Sequence, residues 1–554
     1  MVRKAVLWIA LCGATQSLVQ AMDPPRTWID KDTGHRVIRL TEEAGSSGMY
    51  FNMNAYTPDG KRMVYNAPDG IHVLELATLK AQLVVPSKGG LTDYRGGIRL
   101  VAASRRENAV FFLRDDEATH RREICKANLD TRAVTPLGIL PEHAGVATIN
   151  ADETLAAGTW EDRPEGAGRE FMPPPPPPAG AKLPEGFLVQ PANKGEMMER
   201  RLASRTPLVL FTFDLRNGKV TELLHSTDWI NHLLFSPTDP QLLMYCHEGP
   251  WQKVDRIWTI HTDGTHNTLV HKRTMAMEIA GHEFWGADGR TVWYDWQTPK
   301  GEDFFLAGYR LESGERIAYH MQRNEWSIHF NVDADESLYA GDGGDPGQVA
   351  KAPDGEWIEL FHPQMLPISG ISEPGMWQPG VFHSEHLVNM AMQQYKQEPN
   401  IRFSPDKKLV IFTGNFFGPN YVFAVEVEKS DVKDAHEVQS TPELAKRVQS
   451  GTSPGKNVKF STQRRTEDAQ RQETRKEDTG CRSGGSSVDG HADDSTAITA
   501  RAFSEPSGRG ASHDALVVVW TGSREVRAEK RAGDDAGSRY WRRGDSACLS
   551  DVGR

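Results

Sequence analysis

The sequence predicts an all-β chain, a seven-bladed β-propeller followed by a disordered C-terminal tail. Three observations predict it. A unit made of an Asp-, Asn- or Gly-rich turn, an apolar strand and a second strand occurs seven times. The units follow one another at roughly 45 to 60 residues, the scale of propeller blades. Helical periodicity is scarce, which speaks against a parallel α/β sheet. A two-sheet sandwich is the rival, but regular x-Pro-Asp-Gly punctuation favours blades. One such small sheet cannot bury both its faces, whereas a radial ring lets each cover its neighbour and keeps edges short.

Taken in order, the chain opens with a secretory pattern over residues 1–21. Arg3 and Lys4 give the positive start, Ala5 to Cys12 an apolar run too short for a bilayer, and Val19-Gln-Ala21 a cleavage site. A periplasmic or secreted protein is expected. The propeller is assigned to residues 22–428. Its first unit is Thr57-Pro-Asp-Gly-Lys61, Met63 to Tyr65 and Ile71 to Leu76. The second has Glu107-Asn108, Ala109 to Leu113 and Ile124 to Leu129, and the third has Asn150 to Glu153, Leu155 to Ala157 and, after an interruption, Leu208 to Leu215. That interruption holds six consecutive prolines, Pro173 to Pro178, and reads as a stiff extended loop over Arg163 to about Arg201. The fourth unit runs Phe235 to Pro240, Leu242 to Tyr245 and Arg256 to Ile260, and the fifth runs Ala287-Asp-Gly289, Thr291 to Asp295 and Phe304 to Leu311. The sixth has Val332 to Asp335, Leu338 to Ala340 and Trp357 to Phe361, and the seventh has Phe403 to Asp406, Leu409 to Phe412 and Tyr421 to Val427. Residues 429–554 are poor in apolar side chains apart from Ala515 to Trp520, so they cannot bury enough to offset the entropy of ordering.

The net charge of −11 over 554 residues argues against a general nucleic-acid binder, and beyond the leader no segment is apolar enough to cross a membrane. Five cysteines do not make a disulfide framework, and Cys125 and Cys246 in apolar strands read as small buried thiols. Within the propeller no G-x-S-x-G elbow, P-loop or G-x-G-x-x-G follows a strand. Gly341-Asp-Gly-Gly-Asp345 is too loose for a calcium loop.

Propellers bind where the loops entering the blades converge, so polar residues at one register in successive units mark a site. The segment before each turn supplies them. His232 stands before the fourth unit, His282 in the fifth, His329 in the sixth, and Glu398 or Asn400 before the seventh. Phe51-Asn-Met-Asn54 stands there in the first blade. Imidazoles with oxygen ligands suit Mn, Zn or Fe rather than a thiolate-bound metal. Cys246-His-Glu-Gly-Pro250 adds His247, and Glu248 and Arg256 read as an ion pair on a blade. His247, Arg256 and Gln394 are candidate substrate contacts.

At Trp229-Ile-Asn-His232, Phe235 to Asp239, Cys246 to Pro250, His282-Glu-Phe-Trp285, Gly341-Asp-Gly343 and Phe403 to Asp406 the chain resembles the oligogalacturonate lyase family of seven-bladed propellers. The resemblance runs from about Met22 to Val427 and leaves out the tail. It implies β-elimination on oligogalacturonides or related uronate oligosaccharides, with a divalent metal, commonly Mn2+, a histidine base and an arginine. It puts the base on His232, the arginine near Arg205 and a metal histidine on His282. The family's Gln-x-x-His-x-His run reads Tyr395-Lys-Gln-Glu-Pro-Asn400 here, so Glu398 and Asn400 replace two histidines. The rival readings are a non-catalytic propeller that binds sugars or partner proteins, and a rim esterase or epimerase, for which no nucleophile signature exists.

Overall fold

The computed structural model describes residues 24–87, 97–116, 118–119, 121–162, 193–344, 355–370 and 373–429. The leader over residues 1–21, the six-proline run and all but the first residue of the tail lie outside them. The described residues are almost entirely β, as expected, and no described helix is long and apolar enough to cross a membrane.

Seven blades follow one another along the chain. Blade one is Arg62–Ala67, Gly70–Glu75 and Lys80–Pro86, with Tyr56 bridging Met63 on its inner side. Blade two is Arg99–Ala103, Ala109–Asp115, Arg122–Asn128 and Val134–Ile139. Blade three is Gly145–Ile149, Leu155–Glu161, Leu208–Asp214 and Val220–Ser226. Blade four runs Trp229–Phe235, Leu242–Glu248, Ile257–His261 and Thr268–Leu269. Blade five runs Ile279–Trp285, Thr291–Gln297, Phe304–Arg310 and Arg316–His320. Blade six is Phe330–Val332, Tyr339–Gly341, Trp357–Met365 and Trp377–Asn389, and a parallel pairing of its last strand with Arg316–His320 joins it to blade five. Blade seven is Arg402–Phe403, Leu409–Gly414 and Tyr421–Lys429, completed by His35–Arg39 and Thr27–Ile29 from the start of the chain. That pairing fastens the two ends of the ring together and removes an open edge.

Burial explains the ring. The hydrophobic clusters lie between blades, not inside them. One joins blades seven, one and two through Ile411, Val64 and Val110, and five others join each successive pair from two–three to six–seven. A fully buried Phe or Leu contributes roughly 1.5–3 kcal/mol, so a blade removed from the ring loses the apolar cover on both of its faces. The turns add polar links. Asp288 accepts from the Arg290 and Thr291 amides, both at 2.9 Å, and Ser236 and Thr238 of blade four donate to the Gly289 and Asp288 carbonyls at 2.7 and 2.8 Å. Cys125 and Cys246 are free and buried, and burial pushes the Cys125 thiol up to about 12.

One stretch differs from expectation. The end of the region read as an extended loop is an α-helix, α1, Lys194–Ser204, inserted between the second and third strands of blade three. The Asn193 side chain caps it by accepting from the Glu196 amide at 2.9 Å, and Arg205 ends it in the left-handed conformation. Glu196 to Ala203, which follows the prolines, is a short run of good helix formers.

Candidate active site

Two of the three histidines expected at a common register, His232 and His282, occupy matching backbone positions. His232 lies in the first strand of blade four, and His282 in the first strand of blade five. Each sits at a β-bulge, and each has φ of 48°. Non-glycine residues rarely adopt that conformation, which costs of order 1–3 kcal/mol and re-aims a side chain out of the ladder. Asn400, before blade seven, shares it with φ of 53°. Beside His282, Gly281 is needed for close approach, because a Cβ there would meet the Trp251 ring at 3.0 Å.

These positions open on one pocket. It is lined by Tyr50, Phe51, Asn52, Lys194, His232, Glu248, Trp251, Arg256, His282, Glu283, His329 and Glu398, with about 370 Å³ of empty volume. Its centre is a buried charge cluster. Glu248 accepts from His232 Nε2 at 2.9 Å and from Arg256 Nη1 at 2.8 Å, and Glu248 and Arg256 are only 5% and 3% exposed. Burial works against the Glu248 charge, but Arg256 and His232 outweigh it and hold the carboxyl well below its ordinary value. Arg256 also faces Glu283 at 3.8 Å and lies over the Trp251 ring at 4.4 Å. The pair read from sequence as an ion pair on a blade is thus a buried one in the pocket wall.

His282 and His329 form a second group. Their rings meet edge to face, 4.7 Å apart. Each has a carboxylate on Nδ1, Asp295 at 3.0 Å for His282 and Asp342 at 2.7 Å for His329. Burial pulls the His282 imidazole down, and Asp295 only partly offsets this, so it favours the neutral form. Burial also works against charge on His329, but Asp342 and Glu398 outweigh it and shift that ring up. Glu398 Oε2 lies 3.8 Å from His329 Nε2, and the Tyr50 hydroxyl lies 3.5 Å from the same nitrogen.

A carboxylate behind each imidazole is the arrangement that orients metal-binding histidines, leaving Nε2 as ligand atom. Two imidazoles with Glu398 suit a divalent ion of the Mn, Fe or Zn type. The buried Glu283 Oε2, which has no hydrogen-bond partner, adds a negative atom that a cation would satisfy. In kind, therefore, the residues fit a metal. Among the described residues no group of three His, Cys, Asp or Glu side chains already stands at ion-holding distances. An ion here would complete its shell with water or ligand oxygens.

Four residues singled out from sequence lie outside the pocket lining. Arg205 is 54% exposed and pairs with Asp228, because as the left-handed end of α1 it is directed to the loop before blade four. His247 packs its ring against Tyr245 and Trp258, with Asp228 3.9 Å from Nδ1, since the strand alternation that puts Glu248 in the pocket puts its neighbour elsewhere. Asn400 Oδ1 accepts from the Phe51 amide at 3.3 Å and its Nδ2 donates to the Glu398 carbonyl at 3.1 Å, so both amide atoms are committed to backbone. Gln394 is held through its backbone to Asn415 and its side chain is exposed. Arg205, His247, Asn400 and Gln394 thus have their partners outside this pocket's lining. Tyr50, Lys194 and Trp251 are the pocket residues that the sequence did not single out. Tyr50 immediately precedes the register segment of blade one, and Trp251 ends the Cys-His-Glu-Gly-Pro patch, so both had a signal. Lys194 had none.

Comparison with known proteins agrees with this geometry. Residues 199–431 match the family model described as oligogalacturonate lyase. The oligogalacturonate lyase of Dickeya dadantii (strain 3937) is 23% identical over 417 residues, covering 73% of this chain and 96% of its own. The oligogalacturonide lyase of Pectobacterium atrosepticum is 23% identical over 415 residues, with the same two coverages. Among solved structures, an oligogalacturonate lyase in complex with manganese shares the fold at a TM-score of 0.56 and 22% identity, covering 73% of this chain and 96% of its own. The oligogalacturonate lyase of Vibrio parahaemolyticus does so at 0.56 and 21%. With the family pattern from residue 199 to 431 and the same propeller fold in the solved lyases, this chain is similar to the oligogalacturonate lyases.

Proposed function

We propose that the protein is a lyase that cleaves oligogalacturonides or related uronate oligomers by β-elimination, with His232 as base. The observation that carries the reading is the convergence of His232, His282, His329 and Glu398, from blades four to seven, on one pocket beside a buried Arg256–Glu248 pair.

The chemistry fits those groups. The proton on C5 of a uronate is weakly acidic, and its removal builds negative charge on the adjacent carboxylate. His232 accepts it. Glu248, kept ionised by Arg256, takes the Nε2 hydrogen and leaves Nδ1 as the lone-pair nitrogen. Arg256 acts through Glu248, in place of the role assigned to Arg205. His282, His329 and Glu398 would hold the divalent ion, and Mn2+ is the metal named for the related solved lyase. That ion, when bound, supplies Lewis-acid stabilisation of the carboxylate charge. Trp251 and Phe51 wall the site with apolar surface, which strengthens the electrostatics within. The C5 electron pair then forms the C4–C5 double bond as the C4–O bond breaks, which leaves a 4,5-unsaturated uronate end, and the departing oxygen takes up a proton to become the hydroxyl of the second fragment. A periplasmic or secreted location, from the leader pattern, is part of the same proposal.

The test is incubation of the full chain with digalacturonate and other uronate oligomers, with Mn2+ and with chelator. Rising ultraviolet absorbance of a conjugated unsaturated uronate, abolished by chelator, is expected. No rise with any uronide contradicts the reading.

A further inference from the structure

The pocket has more negative than positive side chains, although the proposed substrate is an anion. Glu248, Glu283 and Glu398 line it, against Arg256 and Lys194. Arg256 is already committed, to Glu248 at 2.8 Å and Glu283 at 3.8 Å, and is buried beneath Trp251. It has little charge left to offer a ligand.

Lys194 is different. It is the first residue of α1, its side chain is exposed, and among the described residues no carboxylate pairs with it. The other nearby cations are engaged. Arg200 pairs with Glu196, and Arg201 pairs with Glu161 and lies over the Trp229 ring at 4.5 Å. Lys253 holds Glu199 at 2.8 Å, which ties α1 to the Trp251 loop. The helix is therefore fastened beside the pocket by its middle and its end, and its first side chain is left to reach the mouth. Lys194 also precedes the span matched by the family model, residues 199–431.

We infer that Lys194 is a specificity residue that binds a carboxylate of the uronate substrate at the mouth of the pocket, and that the α1 insertion in blade three exists to deliver it. This rests on the lyase reading above. A flexible ammonium suits a carboxylate that arrives from solvent, and Lys194 is the lining cation left without a counter-ion among the described residues, so it can offset the repulsion of the pocket's carboxylates. The role is binding, not proton transfer.

The test measures kcat and KM for digalacturonate with Mn2+, at low and moderate salt, in the wild type, Lys194→Met and Lys194→Arg. Lys194→Met is expected to raise KM about tenfold, the scale of one lost charge-assisted hydrogen bond, with kcat little moved. Its KM should also depend less on salt, and Lys194→Arg should recover most of the loss. A Met variant with wild-type KM and salt dependence overturns the inference and leaves the lyase reading intact. So does a fall in kcat at constant KM, which marks a structural role for the helix end. A wild type that eliminates no uronide overturns the lyase reading, and this inference with it.

Discussion

Two histidine–glutamate pairs lie close together in sequence, and they are built for opposite ends. In the first, His271 and Glu278 flank the loop between blades four and five. His271 Nε2 meets Glu278 Oε1 at 2.7 Å while its Nδ1 meets the Tyr294 hydroxyl at 2.9 Å. Glu278 also accepts from Trp296 Nε1 at 2.8 Å and from the Met275 amide at 2.9 Å. Every strong acceptor and donor of that pair is used, and both side chains are buried. In the second, His232 meets Glu248 through one nitrogen only and is 30% exposed to the pocket. The lesson is that a histidine beside a carboxylate acquires chemistry from the nitrogen left over. A pair whose four polar atoms are all satisfied fastens a loop, whereas a pair with a free nitrogen facing a cavity can move a proton.

The comparison predicts effects of decreasing size. His232→Ala should lower kcat by roughly a thousandfold, the range of a lost general base, with the melting temperature nearly unchanged. His271→Ala should do the reverse, since it takes one donor from buried Glu278, leaves the Tyr294 hydroxyl without its imidazole partner and opens a cavity. Steady-state kinetics and thermal melts on the two variants sort them directly, and a His271→Ala protein that is stable but inactive would break the distinction. Glu248→Ala leaves Arg256 buried beside Glu283 alone. It should cost about 3–5 kcal/mol in denaturant unfolding, as for a broken buried pair. Asp295→Asn should weaken Mn2+ affinity about 10- to 100-fold by calorimetry while the fold persists, because Asp295 orients His282.

The pH dependence of stability offers a subtler check. Burial raises the Glu278 carboxyl, but hydrogen bonds from His271, Thr274 and Trp296 outweigh it and bring it from an ordinary 4.5 down to about 2. A depressed folded-state value means that the stabilisation is complete above about 4.5 and is lost as pH falls towards about 2. Glu278→Gln should therefore destabilise near neutral pH, by about 1–3 kcal/mol, and flatten the acid limb of the stability curve. An unchanged acid limb would show that Glu278 is not so held. Arg205→Ala should give the smallest effect, within about 0.5 kcal/mol in stability and with kcat unaltered, as for an exposed ion pair.

How much the sequence reveals follows from the same physics. The seven blades are legible because each repeats one turn and one strand pattern. The register of His232 and His282 is legible for the same reason, and their shared bulge and φ are its structural counterpart. Arg205 lies away from the pocket lining because it follows an insertion, where counting from a repeat no longer locates a side chain. Asn400 shares the backbone position of the two histidines, yet its short amide bonds to neighbouring backbone before it can reach the pocket. Arg256 is recognised as the partner of Glu248, but pairing alone does not disclose burial. Lys194 belongs to no repeat and is brought to the site only by the path of α1.

The most direct test of the central claim weighs the products. Digalacturonate would be treated with the wild type, His232→Ala and His271→Ala proteins in the presence of Mn2+, and the products resolved by mass spectrometry. β-Elimination with His232 as base predicts two fragments whose masses sum to that of the substrate, one of them unsaturated, from the wild type and from folded His271→Ala, and none from His232→Ala. Fragments whose masses sum to the substrate plus one water, or undiminished cleavage by His232→Ala, would contradict it.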